Sequence, residues 1–297
     1  MSLYLIRYGE LGLKSPKVKK RFQKTLKNNI EEAFLKNETQ CITSMDWGRI
    51  YIHSDMDEVA EEILKKIFGI TTFSKVVETS SELEEICDTA ALYSKDVIKE
   101  NSTFAVRAKR TGNHHYTSQD VAREVGSAIL AANKDKYLKV NLNNPDIKIF
   151  VEVRHNKAFV FSKKIPGPGG FPMGTQGKVM ALITDKKSIY AAWLMMKRGC
   201  RTRLLCSNDE AFTLAKYLEP WQLNFKPIKL DGERDDIDNA LDMAKKVRAE
   251  ALVLGYTFEE FQKKDKIKAQ IPIFYPLIGL SDSEINRKIT SLFFGGS

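Results

Sequence analysis

Between residues 16 and 35 the apolar positions Phe22, Leu26, Ile30 and Ala33 recur at steps of three and four. That spacing predicts a helix with one buried face, and Pro16 suits its first turn. Short apolar segments at Leu3–Arg7 and Ile50–His53 read as strands, the first ended by Gly9 and Gly12, the second preceded by the turn pair Trp47–Gly48. Val59–Phe68 has helical spacing again. Strand, helix, strand and helix within about seventy residues suit a small ferredoxin-like α+β unit.

The next stretch repeats the alternation. Leu83, Ile86, Ala90 and Val97 predict a helix over Glu82–Lys99, and a second runs from Ser118, a candidate N-cap, to Ala132. Between them Thr103–Lys109 alternates as a strand, with Phe104, Val106 and Ala108 on one face and Arg107 and Lys109 on the other. Ile147–Arg154 and Ala158–Ser162 predict a hairpin turning over His155–Asn156–Lys157. Residues 166–177 (PGPGGFPMGTQG) hold five glycines and three prolines, which excludes a regular element and marks a boundary or a plain linker. Beyond it, strands at Val179–Ile183, Arg203–Cys206, Phe225–Leu230 and Ala251–Leu254 alternate with helices at Ser188–Arg198 (closed by Gly199), 209–219 and 234–249. This pattern predicts a parallel α/β sheet, with ligands beyond the carboxyl ends of its strands. The divisions are therefore 1–75, 76–165, a linker at 166–177, and 178–297.

A chain of 297 residues accommodates two or three such units. No apolar run is long enough to span a membrane, and the opening residues lack the charged leader and cleavage site of a signal peptide. A cytoplasmic location is the expectation. In that reducing setting Cys41, Cys87, Cys200 and Cys206 read as inert thiols rather than as disulfides or a zinc site.

The net charge of +9 favours a polyanionic partner, and local clusters sharpen it. Lys14, Lys17, Lys20, Arg21, Lys24 and Lys27 occupy the first predicted helix and its approach, with no acid between Leu11 and Ile30. Like charges at helical steps repel, whereas a phosphate backbone would neutralise them and release counterions. A solvated lysine-rich face is the plain alternative. Arg107, Lys109 and Arg110, followed by His114, His115 and Tyr116, combine cations with rings on which RNA bases stack. No third ligand accompanies the histidines, so no metal site is assigned, and a surface loop with incidental histidines is the other reading.

These blocks, taken in order, resemble the tRNA 4-thiouridine synthetases (tRNA sulfurtransferases, ThiI-like). Arg7-Tyr8-Gly9-Glu10, Gly12 and Lys14 are similar to that family's opening motif, and Phe68-Gly69-Ile70 fits as well. Phe104–Arg110 (FAVRAKR), Ser118-Gln119, Asn144-Pro145-Asp146 and Val151-Glu152-Val153 resemble its THUMP RNA-binding domain. Gly169–Lys178 is close to its linker, and Met195–Gly199 and Pro276–Gly279 match later blocks. The resemblance implies an N-terminal ferredoxin-like domain, a THUMP domain and a parallel-sheet PP-loop domain (adenine nucleotide alpha hydrolase-like). In that family the first two grip tRNA, and the third adenylates a uridine for persulfide sulfur to replace its oxygen.

The third domain departs from the pattern. Where the family has SGGxDS, this chain has Thr184-Asp185-Lys186-Lys187-Ser188, without either glycine. Bare backbone N–H groups cradle phosphate, and lysine side chains do not replace them. Leu182, Ile183 and Gly255 keep strand-end positions of the nucleotide site, but the polar block expected after Gly255 is replaced by Tyr256–Phe261. No cysteine follows Cys206 to carry persulfide sulfur. The expectation is a tRNA-binding protein with a vestigial nucleotide site and no assigned catalytic residue. Its partners would be tRNA and either a second copy or a separate modifying enzyme. Two rivals stand: an active sulfurtransferase using ATP with Mg at an altered loop, and a scaffold or dimerisation protein that binds no RNA.

Overall fold

Strand β1 (Ser2–Tyr8) is buried continuously from Leu3 to Ile6, as a strand covered on both faces must be. In this computed structural model, which describes residues 1–9, 15–46, 48–230, 236–263 and 267–295, β1 is followed by helix α1 (Pro16–Lys36), strands β2 (Ile42–Asp46) and β3 (Arg49–Ser54), helix α2 (Asp57–Leu64) and strand β4 (Ile70–Ser80). The strands stand in the order β4-β1-β3-β2. β3 runs antiparallel to β1, with Leu3 opposite His53 and Ile6 opposite Ile50. This βαββαβ order is the ferredoxin-like arrangement. Two of its strands escaped the hydrophobic pattern. β2 is an edge strand whose Ile42 and Met45 face solvent, so it has no buried alternation. β4 buries Phe73, Ser74 and Val76 together, which blurs the period of two.

Helix α3 (Leu83–Val97), β5 (Thr103–Thr111), α4 (Ser118–Ala132), β6 (Lys139–Val140), β7 (Ile147–Arg154), β8 (Lys157–Phe161) and β9 (Ile165–Pro166) come next. They extend the sheet to nine strands, in the order β2-β3-β1-β4-β8-β7-β5-β6, with β9 also on β4. Ile86, Ala90, Val121, Val125 and Ile129 from the two helices meet Phe104, Val106, Val151 and Val153 from the strands in one apolar cluster. The N-cap of α4 is Thr117 rather than Ser118. Its hydroxyl accepts the Asp120 N–H at 3.2 Å, and the Asp120 carboxylate accepts the Thr117 N–H at 2.9 Å, a reciprocal box open to a residue one position earlier. The β7–β8 turn uses only His155 and Asn156, because Lys157 already pairs with Arg154 and His155 takes φ +52°.

The chain separates into two compact units: Met1–Arg7, Cys41–Ala60 and Thr72–Pro166 form one, and Tyr8–Gln40, Glu61–Thr71 and Gly167–Ser297 form the other. The first carries the large sheet. The second contains α1 and a five-stranded parallel sheet built from β10 (Lys178–Ile183), helix α5 (Lys186–Lys197), β11 (Arg201–Cys206), helix α6 (Asp209–Ala215), β12 (Ile228–Lys229), helix α7 (Asp236–Lys246), β13 (Ala251–Val253), helix α8 (Phe258–Lys263) and β14 (Ile273–Phe274), and closes with helix α9 (Asp282–Ile289). The order β12-β11-β10-β13-β14 reverses at β10, so the switch point lies between the ends of β10 and β13. The helix expected over 209–219 stops at Ala215 and tightens into a 3-10 turn over Lys216–Trp221, which contains Pro220. The strand expected over Phe225–Leu230 shrinks to Ile228–Lys229.

Phe68, Trp193 and Trp221 form an aromatic nucleus in the second unit, with ring centroids 5.4–5.5 Å apart. α1 lies in this unit too: Phe22 meets Phe171 edge-on at 5.7 Å, and Asn29 donates to the Met173 carbonyl at 3.0 Å. The glycine-rich stretch after Pro166 is bonded to the end of α5. Gly199 (φ +91°) ends that helix in a Schellman motif, Cys200 N–H to Met195 O and Gly199 N–H to Met196 O. The Gly199 carbonyl in turn accepts the N–H groups of Gly174 and Gln176.

Candidate nucleic-acid interface and the altered loop

The alternation of β5 puts Arg107 and Lys109 on one face, opposite Phe150 and Glu152 of β7. With Lys148, Phe161, Lys164, Ser118 and Gln119 they line an open hollow of about 500 Å³ in the first unit. Its apolar lining includes the Phe150–Phe161 pair, stacked at 5.2 Å and 16°. The Lys164 ammonium sits 4.0 Å from the centre of the Phe150 ring. Burial lowers the Lys164 pKa, and the nearby positive charges of Arg7 and Lys109 lower it further. Among the described residues, Lys109, Lys148 and Lys164 have no ion-pair partner. A cationic hollow of this kind can receive a phosphate.

Glu152 is the carboxylate in this lining, and it is almost wholly buried. Three arginines grip it. Arg7 of β1 donates Nε and Nη2 to Oε2 at 3.2 and 3.0 Å. Arg49 of β3 donates Nε to Oε1 at 3.1 Å, with its Nη2 in ion-pair contact at 3.0 Å, and Arg154 donates Nη1 to Oε1 at 3.1 Å. Burial alone would raise the Glu152 pKa, but Arg49, Arg7 and Arg154 outweigh it and hold the carboxyl below its ordinary range. Neither Glu152, Lys148 nor Lys164 was singled out for this role in the sequence. The signal for Glu152 was a lone acid between Val151 and Val153 in an otherwise buried strand; Lys164 had none.

The second sequence cluster divides. Arg107 and Lys109 line the hollow, with the Arg107 guanidinium also donating to the Leu142 carbonyl. Arg110 lies outside that lining and donates to the Gly112 carbonyl at 2.9 Å, 3.3 Å from His114 Nδ1. His114 stacks on Tyr116 at 5.2 Å, and the Tyr116 hydroxyl donates to the Ser81 carbonyl, so both rings brace the loop. On α1, Lys17, Lys20, Arg21 and Lys24 are exposed. Lys27 is instead paired with Glu31 at 2.6 Å, and Lys14 lies outside the described residues.

In the second unit, Leu182 and Ile183 end β10 and are buried, and Thr184 and Asp185 lead into α5 at the switch point. Three of the N–H groups here are internally satisfied. Thr184 N–H and Asp185 N–H donate to the Ser188 hydroxyl at 3.0 and 3.1 Å, and Ser188 N–H donates to the Asp185 carboxylate at 2.8 Å. The Ser188 hydroxyl in turn donates to the Asp185 carbonyl at 2.6 Å. Both lysines are drawn aside. Lys187 pairs with Glu260 at 2.5 Å, and Lys186 lies 5.2 Å from the Phe294 ring centre. Burial opposes the charged forms of Lys187 and Glu260, yet their mutual contact wins, raising the lysine and lowering the carboxyl. Gly255, just past β13, sits so close that a Cβ there would lie 2.7 Å from Ser188 Cα.

Cys200 and Cys206 are buried, and burial raises both thiols, Cys206 to about 11. They are poor nucleophiles at neutral pH. Among the described residues no group of three or more His, Cys, Asp and Glu could hold a metal ion, and no helix is long and apolar enough to cross a membrane.

Comparison with known proteins agrees with this architecture. The sequence model of the ThiI ferredoxin-like domain matches residues 3–74, and that of the THUMP domain matches residues 80–163. The probable tRNA sulfurtransferase of Methanosarcina mazei is 32% identical over 327 aligned positions, covering 96% of this chain and 80% of that protein. Its counterpart in Methanobrevibacter smithii is 38% identical over 267 positions, covering 88% and 65%. Among solved structures, PH1313 from Pyrococcus horikoshii matches with a TM-score of 0.81 at 29% identity, over 98% of this chain and 99% of that one. A 4-thiouridine synthetase in complex with RNA and ATP matches with a TM-score of 0.80 at 25% identity, over 98% and 85%. The chain therefore belongs to the tRNA sulfurtransferase (4-thiouridine synthetase) family, with a ThiI-type ferredoxin-like domain, a THUMP domain and a parallel-sheet domain of the PP-loop kind.

Proposed function

We propose that this chain is a cytoplasmic tRNA-binding member of the family whose third domain no longer performs the ATP-dependent step. The domains are assigned as 1–75, 76–165 and 178–297, joined by 166–177. RNA phosphates are held in the hollow of Arg107, Lys109, Lys148 and Lys164, and along the exposed face of Lys17, Lys20, Arg21 and Lys24. Arg110, His114 and Tyr116 flank the hollow as a braced rim. The bound tRNA is presented to a separate modifying enzyme or to a second copy of the chain.

The observation that carries this reading is the closed hydrogen-bond circuit of Thr184, Asp185 and Ser188. It occupies three of the amides that a pyrophosphate would meet, and it leaves the Asp185 carboxylate beside them. The residues present do not fit ATP with Mg, and no step through them is assigned. The second reading, an active sulfurtransferase, is favoured by the relative of matching fold with bound ATP. On that reading ATP and Mg would occupy Leu182–Ser188 and Gly255.

ATP–pyrophosphate exchange in the presence of unmodified tRNA separates the two readings, with a tRNA titration in parallel. The proposal expects salt-sensitive tRNA binding and no exchange above background. Robust exchange would overturn the loss of the ATP step, and failure to bind tRNA over an acidic protein at physiological salt would favour a scaffold.

A further inference from the structure

Glu152 presents an acid inside a hollow whose other charged lining residues are Arg107, Lys109, Lys148 and Lys164. Left to itself, a desolvated carboxylate there would repel a phosphate. Three guanidinium groups meet it on the side-chain oxygens, and none of them lines the hollow. Arg7 and Arg49 come from β1 and β3, which are ferredoxin-like strands, while the hollow is built on β5, β7 and β8.

We infer that Arg49 and Arg7 are positioning residues for the RNA-binding hollow: they mask the charge of Glu152 from the ferredoxin-like strands, so that the carboxylate does not repel a phosphate seated against Lys109 and Lys164. Arg7 is placed for this by further contacts. Its Nη1 donates to the Ser74 hydroxyl at 3.0 Å, and its guanidinium carbon lies 4.7 Å from the centre of the Phe161 ring. Arg49 is the more exposed of the two, with a side chain 25% accessible against 14%. It is the better handle for mutation. The ferredoxin-like strands thereby tune the affinity of the THUMP hollow without touching the RNA.

The inference rests on the hollow being the RNA site, so the experiment includes an arm for that premise alone. A labelled tRNA transcript is titrated with the full chain at several salt concentrations. Lys164→Gln tests the premise: loss of affinity with a shallower salt dependence supports the hollow, and no change removes the siting given under Proposed function. Arg49→Gln is expected to weaken binding about fivefold, the order of losing one of the three guanidinium charges that offset Glu152, at intermediate dielectric. Its slope of log affinity against log salt should stay at the wild-type value, because no phosphate contact is lost. A direct contact would instead lower that slope by about 0.7–0.9. Adding Glu152→Gln to Arg49→Gln should restore affinity to within about twofold, since nothing remains to be masked. A double variant as weak as the single one, or a reduced slope in Arg49→Gln, overturns the inference. Should the double variant fail to fold, Arg49→Lys decides. Charge masking expects near-wild-type affinity from the retained ammonium, and affinity as low as that of Arg49→Gln contradicts it.

Discussion

Replacing Glu152 with glutamine isolates the energetic weight of the arginine cluster. The carboxylate accepts four N–H bonds from Arg7, Arg49 and Arg154, at 3.0 to 3.2 Å, and its side chain is 8% exposed. An amide oxygen can keep one or two of those bonds, but it carries no charge to balance three guanidinium groups. Removing one partner of a buried ion cluster typically costs about 3–5 kcal/mol. At roughly 2–4 °C per kcal/mol, the first unit should melt about 6–20 °C earlier. Calorimetry at pH 7 measures the shift, with hydrogen exchange on β5, β7 and β8 attributing it to the first unit, because a two-unit chain does not unfold as one transition. The pH dependence gives an internal check. The folded Glu152 pKa lies below its ordinary 4.5. Its contribution is therefore full above that value and is lost as the pH falls through the folded pKa. The gap between wild type and variant should accordingly be constant from pH 7 to about 5 and close in more acidic solution. A melting shift under about 2 °C at pH 7, or a gap independent of pH, would refute the cluster as an energetic unit.

Two further outcomes follow from the second unit. Cys206, with its thiol raised to about 11 by burial, should resist iodoacetamide in the native chain at pH 7.5 and react fully in denaturant, as judged by intact mass. Rapid native alkylation would contradict its burial. Gly199→Ala forces a side chain into φ +91° and within 2.6 Å of the Thr175 hydroxyl, so it should destabilise the second unit by about 1–3 kcal/mol in thermal melts; a neutral result would contradict the Schellman closure of α5.

The hydrophobic pattern reached the elements whose burial is periodic. α1 lies where Phe22, Leu26 and Ile30 predict it, α4 spans the expected Ser118–Ala132, and the glycine closing α5 is the one expected. It failed where a strand is an exposed edge, as at β2, or has two paired residues, as at β14. The basic residues of β5 were legible because a single strand sets their alternation. Glu152 and Lys164 were not, because their chemistry arises from the pairing of β7 with β5 and β8 and from side chains contributed by β1 and β3. The altered loop could be read as lacking glycine. That Ser188 and Asp185 then consume its amides is a property of the folded geometry alone.

The most direct test follows the backbone amide resonances of Thr184, Asp185 and Ser188 while Mg-ATP is titrated into the isotope-labelled chain bound to tRNA. With those N–H groups committed to Ser188 and Asp185, the account predicts that all three signals stay in place up to millimolar nucleotide. Saturable shifts of the three together at micromolar ATP would show that the circuit opens to receive phosphate, and would contradict it.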